Sequence, residues 1–94
     1  MVETQVNFKE AKMEIVKEFF VSNGGHVIVY LVTPQTILEE FYVVSYDNGY
    51  NEVAWGLGHT IEQALKNAAV NYNAEDEDNY NPFEEVLLSH GGEL

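Results

Sequence analysis

Cysteine is missing from this 94-residue chain. That excludes disulfides, thiolate metal sites and a cysteine nucleophile, and it fits a reducing cytoplasm. Basic residues are nearly missing as well: four lysines stand against sixteen acids, for a net charge of −12. Long apolar runs are also lacking. The longest, Val27 to Val32, is far too short to cross a bilayer, and the start MVETQVNFKE has no basic segment followed by an apolar one, so no signal peptide is read. The expectation is a soluble, cytoplasmic protein.

The chemistry of most enzymes finds no footing here. His26, His59 and His90 are not at metal-ligand spacing. Asp76-x-Asp78 starts like a calcium loop, but Asn81 stands where glycine is needed and no glutamate closes the loop. No Gly-x-Ser-x-Gly elbow surrounds Ser22, Ser45 or Ser89. Gly56-x-Gly58 lacks the third glycine of a dinucleotide site. Four lysines leave little to hold a phosphate or an oxyanion. We therefore expect no catalytic residues, no cofactor and no metal.

What the chain does hold is enough for one core. It is 46% apolar, with one Trp, six Tyr and five Phe. A chain of this size forms one domain, read as residues 1–94 with an acidic loop over 74–82. Asn7 with Glu10 reads as a capping box. Phe8, Ala11, Ile15 and Phe19, with Met13, Val16 and Phe20, recur at helical spacing, so the segment up to Asn23-Gly24-Gly25 is read as a helix. The competing reading is a strand over Met13–Val21 that turns through Ser22-Asn23-Gly24-Gly25. His26–Thr33 is β-branched and aromatic, hence a strand. Glu40–Asp47 and Glu52–Gly56 follow as strands around a turn at Asp47–Asn51. Thr60 caps a helix whose inner face is Ile61, Ala64, Leu65, Ala68 and Ala69, ending near Asn71–Asn73. Pro82 opens a last short helix over Phe83–Ser89. The expected fold is α+β and two-layered: a three-stranded antiparallel sheet in α-β-β-β-α order plus a short C-terminal helix.

The stretch Gly56-Leu57-Gly58-His59-Thr60-Ile61-Glu62-Gln63-Ala64-Leu65-Lys66-Asn67-Ala68-Ala69 resembles the last strand and second helix of double-stranded-RNA-binding domains, whose signature is of the type G-x-G-x-S-K-K-x-A-K-x-x-A-A. It is also similar to the G-x-T-x-x-E-A-L-x-N-A segment of HicB-type antitoxins. The RNA-binding resemblance implies phosphate-contacting lysines at the helix start, and here those places hold Ile61, Glu62 and Leu65. It also implies a Pro-x-His contact after the first strand, where this chain reads Pro34-Gln35-Thr36-Ile37. Each lost contact removes a counterion-release contribution and each glutamate adds repulsion, so RNA binding is not expected.

Charge distribution carries the functional expectation. Residues 1–18 hold four acids and three lysines, whereas residues 19–94 hold the other twelve acids against Lys66 alone. A surface of this sign repels phosphate backbones and anionic membranes and attracts basic proteins; it also serves solubility. Duplex DNA presents one charge per ~1.7 Å of axis, and Glu39, Glu40, Asp47, Glu52, Glu62, Glu75, Asp76, Glu77, Asp78, Glu84 and Glu85 are the carboxylates that could imitate it. By size and charge the chain is similar to phage-encoded DNA-mimic inhibitors. The similarity implies a basic host DNA-binding partner (an HU-type nucleoid protein, RNA polymerase, a restriction enzyme or a CRISPR effector), competitive occupancy of its groove in the host cytoplasm, and a homodimer that doubles the display. The alternative is a HicB-like antitoxin or other module that neutralises a small basic toxin, with Phe83, Val86, Leu87 and Leu88 as anchors. Tyr42, Tyr46, Tyr50, Tyr72 and Tyr80 are further candidates for interface anchors.

Overall fold

The segment Lys12–Phe20 alternates charged and apolar side chains over Lys12-Met13-Glu14-Ile15 and ends on the aromatic pair Phe19-Phe20. It forms a nine-residue strand, β1, in a computed structural model that describes residues 12–34, 39–75 and 80–94. The expected first helix is therefore corrected over these residues. Asn7, Phe8 and Ala11, which carried part of that expectation, lie outside the described residues. The physical reason for the strand is the turn that follows. Gly24 takes a φ of +96°, a conformation that costs a side chain and suits glycine. Val21 N–H and C=O then bond Gly25 C=O and Gly24 N–H, each at 3.0 Å. That turn folds β1 back onto β2 (His26–Thr33).

β3 (Phe41–Asp47) and β4 (Glu52–Gly58) continue the meander, giving a four-stranded antiparallel sheet in the order β1-β2-β3-β4. Helix α1 (Ile61–Glu75) and helix α2 (Pro82–His90) follow, and a single 3-10 turn closes the chain at Gly91–Glu93. Over the described residues the order is β-β-β-β-α-α, not α-β-β-β-α, and the sheet has four strands rather than three. β2 falls where its composition predicts it. β4 runs two residues beyond the expected Gly56, and α1 continues to Glu75, into what was read as loop.

Strand register assigns the faces, because residues directly opposite in a sheet point the same way. Val27 pairs with Phe19 and Tyr46, and Val29 with Lys17 and Val44. This side packs under the helices. Val27, Val29 and Val44 lose all exposure, together with Ala64, Leu65 and Ala68 of α1 and Phe83 and Val86 of α2. Each large apolar side chain buried this way contributes about 1.5–3 kcal/mol. Tyr46, Trp55, Tyr72 and Phe83 meet edge to face, with centroids 4.9 Å apart for Trp55–Tyr72 and 5.8 Å for Tyr72–Phe83, a preferred geometry for aromatic quadrupoles.

Both ends of α1 are fixed locally. Thr60 Oγ1 accepts from Gln63 N–H at 3.0 Å, the cap its sequence predicts. Asn81 caps α2, its Oδ1 accepting from Phe83 and Glu84 N–H at 3.0 and 3.2 Å. Its Nδ2 donates to Ala69 C=O at 3.0 Å and Asn73 Oδ1 at 2.9 Å, which ties α2 to α1. Gly56 and Gly58 let α1 lie against β4: a Cβ on Gly56 would meet Ala68 N, with Ala64 O and Ala68 Cα at 2.8 Å. The glycines and alanines of the 56–69 stretch thus have a packing reason of their own. Among the described residues no helix is long and apolar enough to cross a membrane.

Candidate functional site: an acidic end

Topology collects carboxylates at one end of the sheet. The β1–β2 turn, the β3–β4 turn, the last turn of α1 and the first turn of α2 all lie there. β4 runs away from this end and α1 returns to it. Asp47 and Glu52 stand opposite each other in the β3–β4 register, and His26 stands opposite Asp47. His26 Nε2 lies 3.3 Å from Asp47 Oδ2, and its Nδ1 contacts Glu18 Oε2. Phe20 stacks on the same imidazole at 5.4 Å. Glu52 Oε2 accepts from Ser45 Oγ at 2.5 Å and from the Tyr30 hydroxyl. Burial and then Glu52 push the Tyr30 phenol up to about 12, so it remains a neutral donor.

On the helix side, Glu85 reaches across 63 residues of sequence to the first turn: Ser22 N–H donates to both its oxygens at 3.2 and 3.0 Å, and Ser22 Oγ donates at 2.8 Å. The Tyr80 hydroxyl donates to it as well. The Tyr80 and Ser22 bonds hold the Glu85 carboxyl below its ordinary value, while burial and Glu85 push the Tyr80 phenol up to about 12. Glu84 accepts from Asn73 Nδ2 at 3.2 Å. Glu84 and Glu85 occupy the first turn of α2, where the helix dipole favours negative charge.

Of the eleven carboxylates singled out by sequence, the fold brings Asp47, Glu52, Glu84 and Glu85 to this end. Glu75 is in the last turn of α1 that runs toward it, and Asp76, Glu77 and Asp78 lie outside the described residues. Glu39 and Glu40 sit beyond the far end, where Glu40 accepts from Thr33 Oγ1 at 3.2 Å. Glu62, at the far-end start of α1, pairs with Lys66 at 3.2 Å. Glu18 was missed, because a helical reading of residues 12–20 points it elsewhere. Ser22 and Tyr30, which aim the carboxylates, have no signal in the sequence, and Tyr80, a candidate interface anchor by its sequence, instead donates to Glu85.

The proposed apolar anchors fare differently. Phe83 and Val86 are in the core and Leu87 packs against it, which leaves Leu88, 87% exposed, as the one free anchor of that set. Of the candidate tyrosine anchors, Tyr42, Tyr46 and Tyr72 belong to or pack on the core, whereas Tyr50 and Tyr80 reach the surface. No three His, Asp or Glu side chains among the described residues converge as metal ligands do. What this end can do chemically is present fixed negative charge and accept hydrogen bonds. Compared with protein-family models, with curated proteins and with solved structures, the chain has no significant match.

Proposed function

We propose that this chain is an acidic decoy that occupies the nucleic-acid-binding surface of a basic protein and competes with DNA for it. One observation carries the reading: Glu18, Asp47, Glu52, Glu84 and Glu85 stand at one end of a rigid sheet, and each is held by a hydrogen bond or an ion pair. A flexible acid must be ordered on binding, at about 0.5–1.5 kcal/mol per side chain; a carboxylate already fixed avoids much of that cost. Among the described residues, the basic side chains beside these carboxylates are the imidazoles of His26, against Glu18 and Asp47, and His90, near Glu85, and no lysine pairs with any of the five. Association with a basic groove is therefore fast and salt-sensitive.

The test is retention of a basic DNA-binding protein from a bacterial lysate by the immobilised chain, eluted first by salt and then, in a parallel run, by free duplex DNA. A basic protein released by both supports the decoy, and D47N/E84Q should then release it at lower salt. If nothing basic is retained, or if what is retained resists both salt and duplex, the reading is wrong.

A further inference from the structure

The two edges of the sheet are treated differently. Along β4, two asparagines of α1 close the outer edge: Asn71 Nδ2 donates to Trp55 C=O at 2.6 Å and Asn67 Nδ2 donates to Leu57 C=O at 2.7 Å. Those carbonyls are no longer open to a new strand. A bulge at Trp55, where the β3–β4 register shifts between Val44 and Ser45, further disrupts that edge. β1, the opposite edge, has no such cover among the described residues. It is nine residues long, and Met13, Ile15 and Phe20 on it are 60%, 56% and 76% exposed.

β1 is also where this acidic chain is electrically neutral. Lys12 and Lys17, half of all its lysines, balance Glu14 and Glu18 there. A second acidic copy is repelled almost everywhere else but not here. The order of these charges is self-complementary. Val16 is the extra residue of a bulge between Ile15 and Lys17. A two-fold axis beside Ile15–Val16 sets Glu14 of each copy opposite Lys17 of the other. Both residues lie on the helix side of the sheet, opposite Leu31 and Val29. The same register sets Met13 opposite Glu18 on the other side, so no side chain changes face. Shifting the pairing by two residues in one direction sets Lys12 against Lys17, and in the other it sets Ile15 against Glu18. Neither alternative pairs opposite charges.

We infer that two copies of this chain join through antiparallel pairing of their β1 edges, with Glu14 of each copy against Lys17 of the other, into one continuous eight-stranded sheet. Backbone bonds supply the attraction, and the two cross-strand ion pairs select the register. Glu18 belongs to both features, but the inference does not rest on the decoy reading, because Glu14 and Lys17 set the register and neither is part of the acidic end.

Charge exchange tests it. Sedimentation equilibrium should find the wild-type chain dimeric, and E14K and K17E each weaker as dimers by on the order of tenfold, because two attractions become two repulsions. The double variant E14K/K17E should return to wild-type affinity, and an equimolar mixture of E14K with K17E should form the mixed dimer. Far-ultraviolet circular dichroism on each single variant checks that the monomer still folds. The inference is overturned if the wild-type chain stays monomeric, if the single variants dimerise like wild type, or if neither the double variant nor the mixture recovers. A negative result leaves retention of a basic partner unaffected, so the two readings fail separately.

Discussion

Replacing Gly56 by alanine should destabilise this protein more than any other single added methyl group. Gly56 faces the middle of α1, and its missing Cβ is the gap that α1 fills: the added carbon would meet Ala68 N and lie 2.8 Å from both Ala64 O and Ala68 Cα. All three are backbone atoms of a helix, so no rotamer can swing aside. Either α1 steps back from β4 or β4 moves, and both loosen the layer that buries Ala64, Leu65 and Ala68. Overpacking costs about 1–3 kcal/mol where side chains can adjust. With only backbone to move, we expect about 3 kcal/mol, a large part of the roughly 5–14 kcal/mol available to a domain of this size. The melting temperature should fall by roughly 12–24 °C. Urea titration followed by circular dichroism measures the loss, with an unchanged m-value confirming that the folded and unfolded states keep their compactness. Gly91 is the control: it is helical at φ −55°, with nothing within 4 Å of an added Cβ, so G91A should stabilise by about 0.5 kcal/mol. If G56A lies within about 0.5 kcal/mol of wild type, the close seating of α1 on β4 is not what holds the layers together.

Asn81 makes two accepting and two donating bonds from a buried position, so N81A should cost about 2–3 kcal/mol by urea denaturation; N81D, which keeps the cap but not the donors, should be intermediate or worse. Tyr30 and Tyr80 hold their protons more tightly folded than unfolded, with phenols pushed from 10.0 to about 12. Their contribution to stability is whole below pH 10 and falls as pH rises toward 12, and phenolate absorbance during an alkaline titration should show two of the six tyrosines lagging. Glu85 works in the other direction. Its folded value is below the ordinary 4.5, so its contribution is present above pH 4.5 and is lost as pH falls through the folded value; Y80F should move the Glu85 carboxyl signal in carbon-detected NMR back up toward 4.5.

Much of the fold is legible in the residues, and the largest error has a definite cause. β2 is recognisable because its β-branched run is buried on both faces, and Thr60 as a cap and Pro82 as a first helical residue mark where the helices begin, whereas Asn81, read as loop, is the cap of α2. β1 is misread because its bulge at Val16 breaks the two-residue period. That single extra residue places Ile15 with Phe19, and Val16 with Phe20, at a spacing of four, and Lys and Glu complete a helical look. An edge strand exposed on most of its length also tolerates charges that a central strand would not. The candidate site is legible by residue type and not by position. Asp47 and Glu52 follow from one hairpin, but Glu85 meets Ser22 only because α2 folds back across the first turn. Glu18 joins the acidic end only once β1 is known to be a strand.

The aromatic cluster under α1 has a practical consequence. Trp55 is the chain's lone tryptophan, and it lies against Tyr72, with Tyr46 and Phe83 next in line. Its fluorescence therefore reports on one seam only, the docking of α1 on β4, while energy received from Tyr72 and Tyr46 adds a distance-sensitive channel for the rest of the core. β1 contributes no indole and no tyrosine and does not touch Trp55 in the sheet order, so circular dichroism rather than tryptophan emission is the signal that follows its detachment. A single sample watched by both signals can thus tell whether the open edge and the helical layer come apart together or in turn.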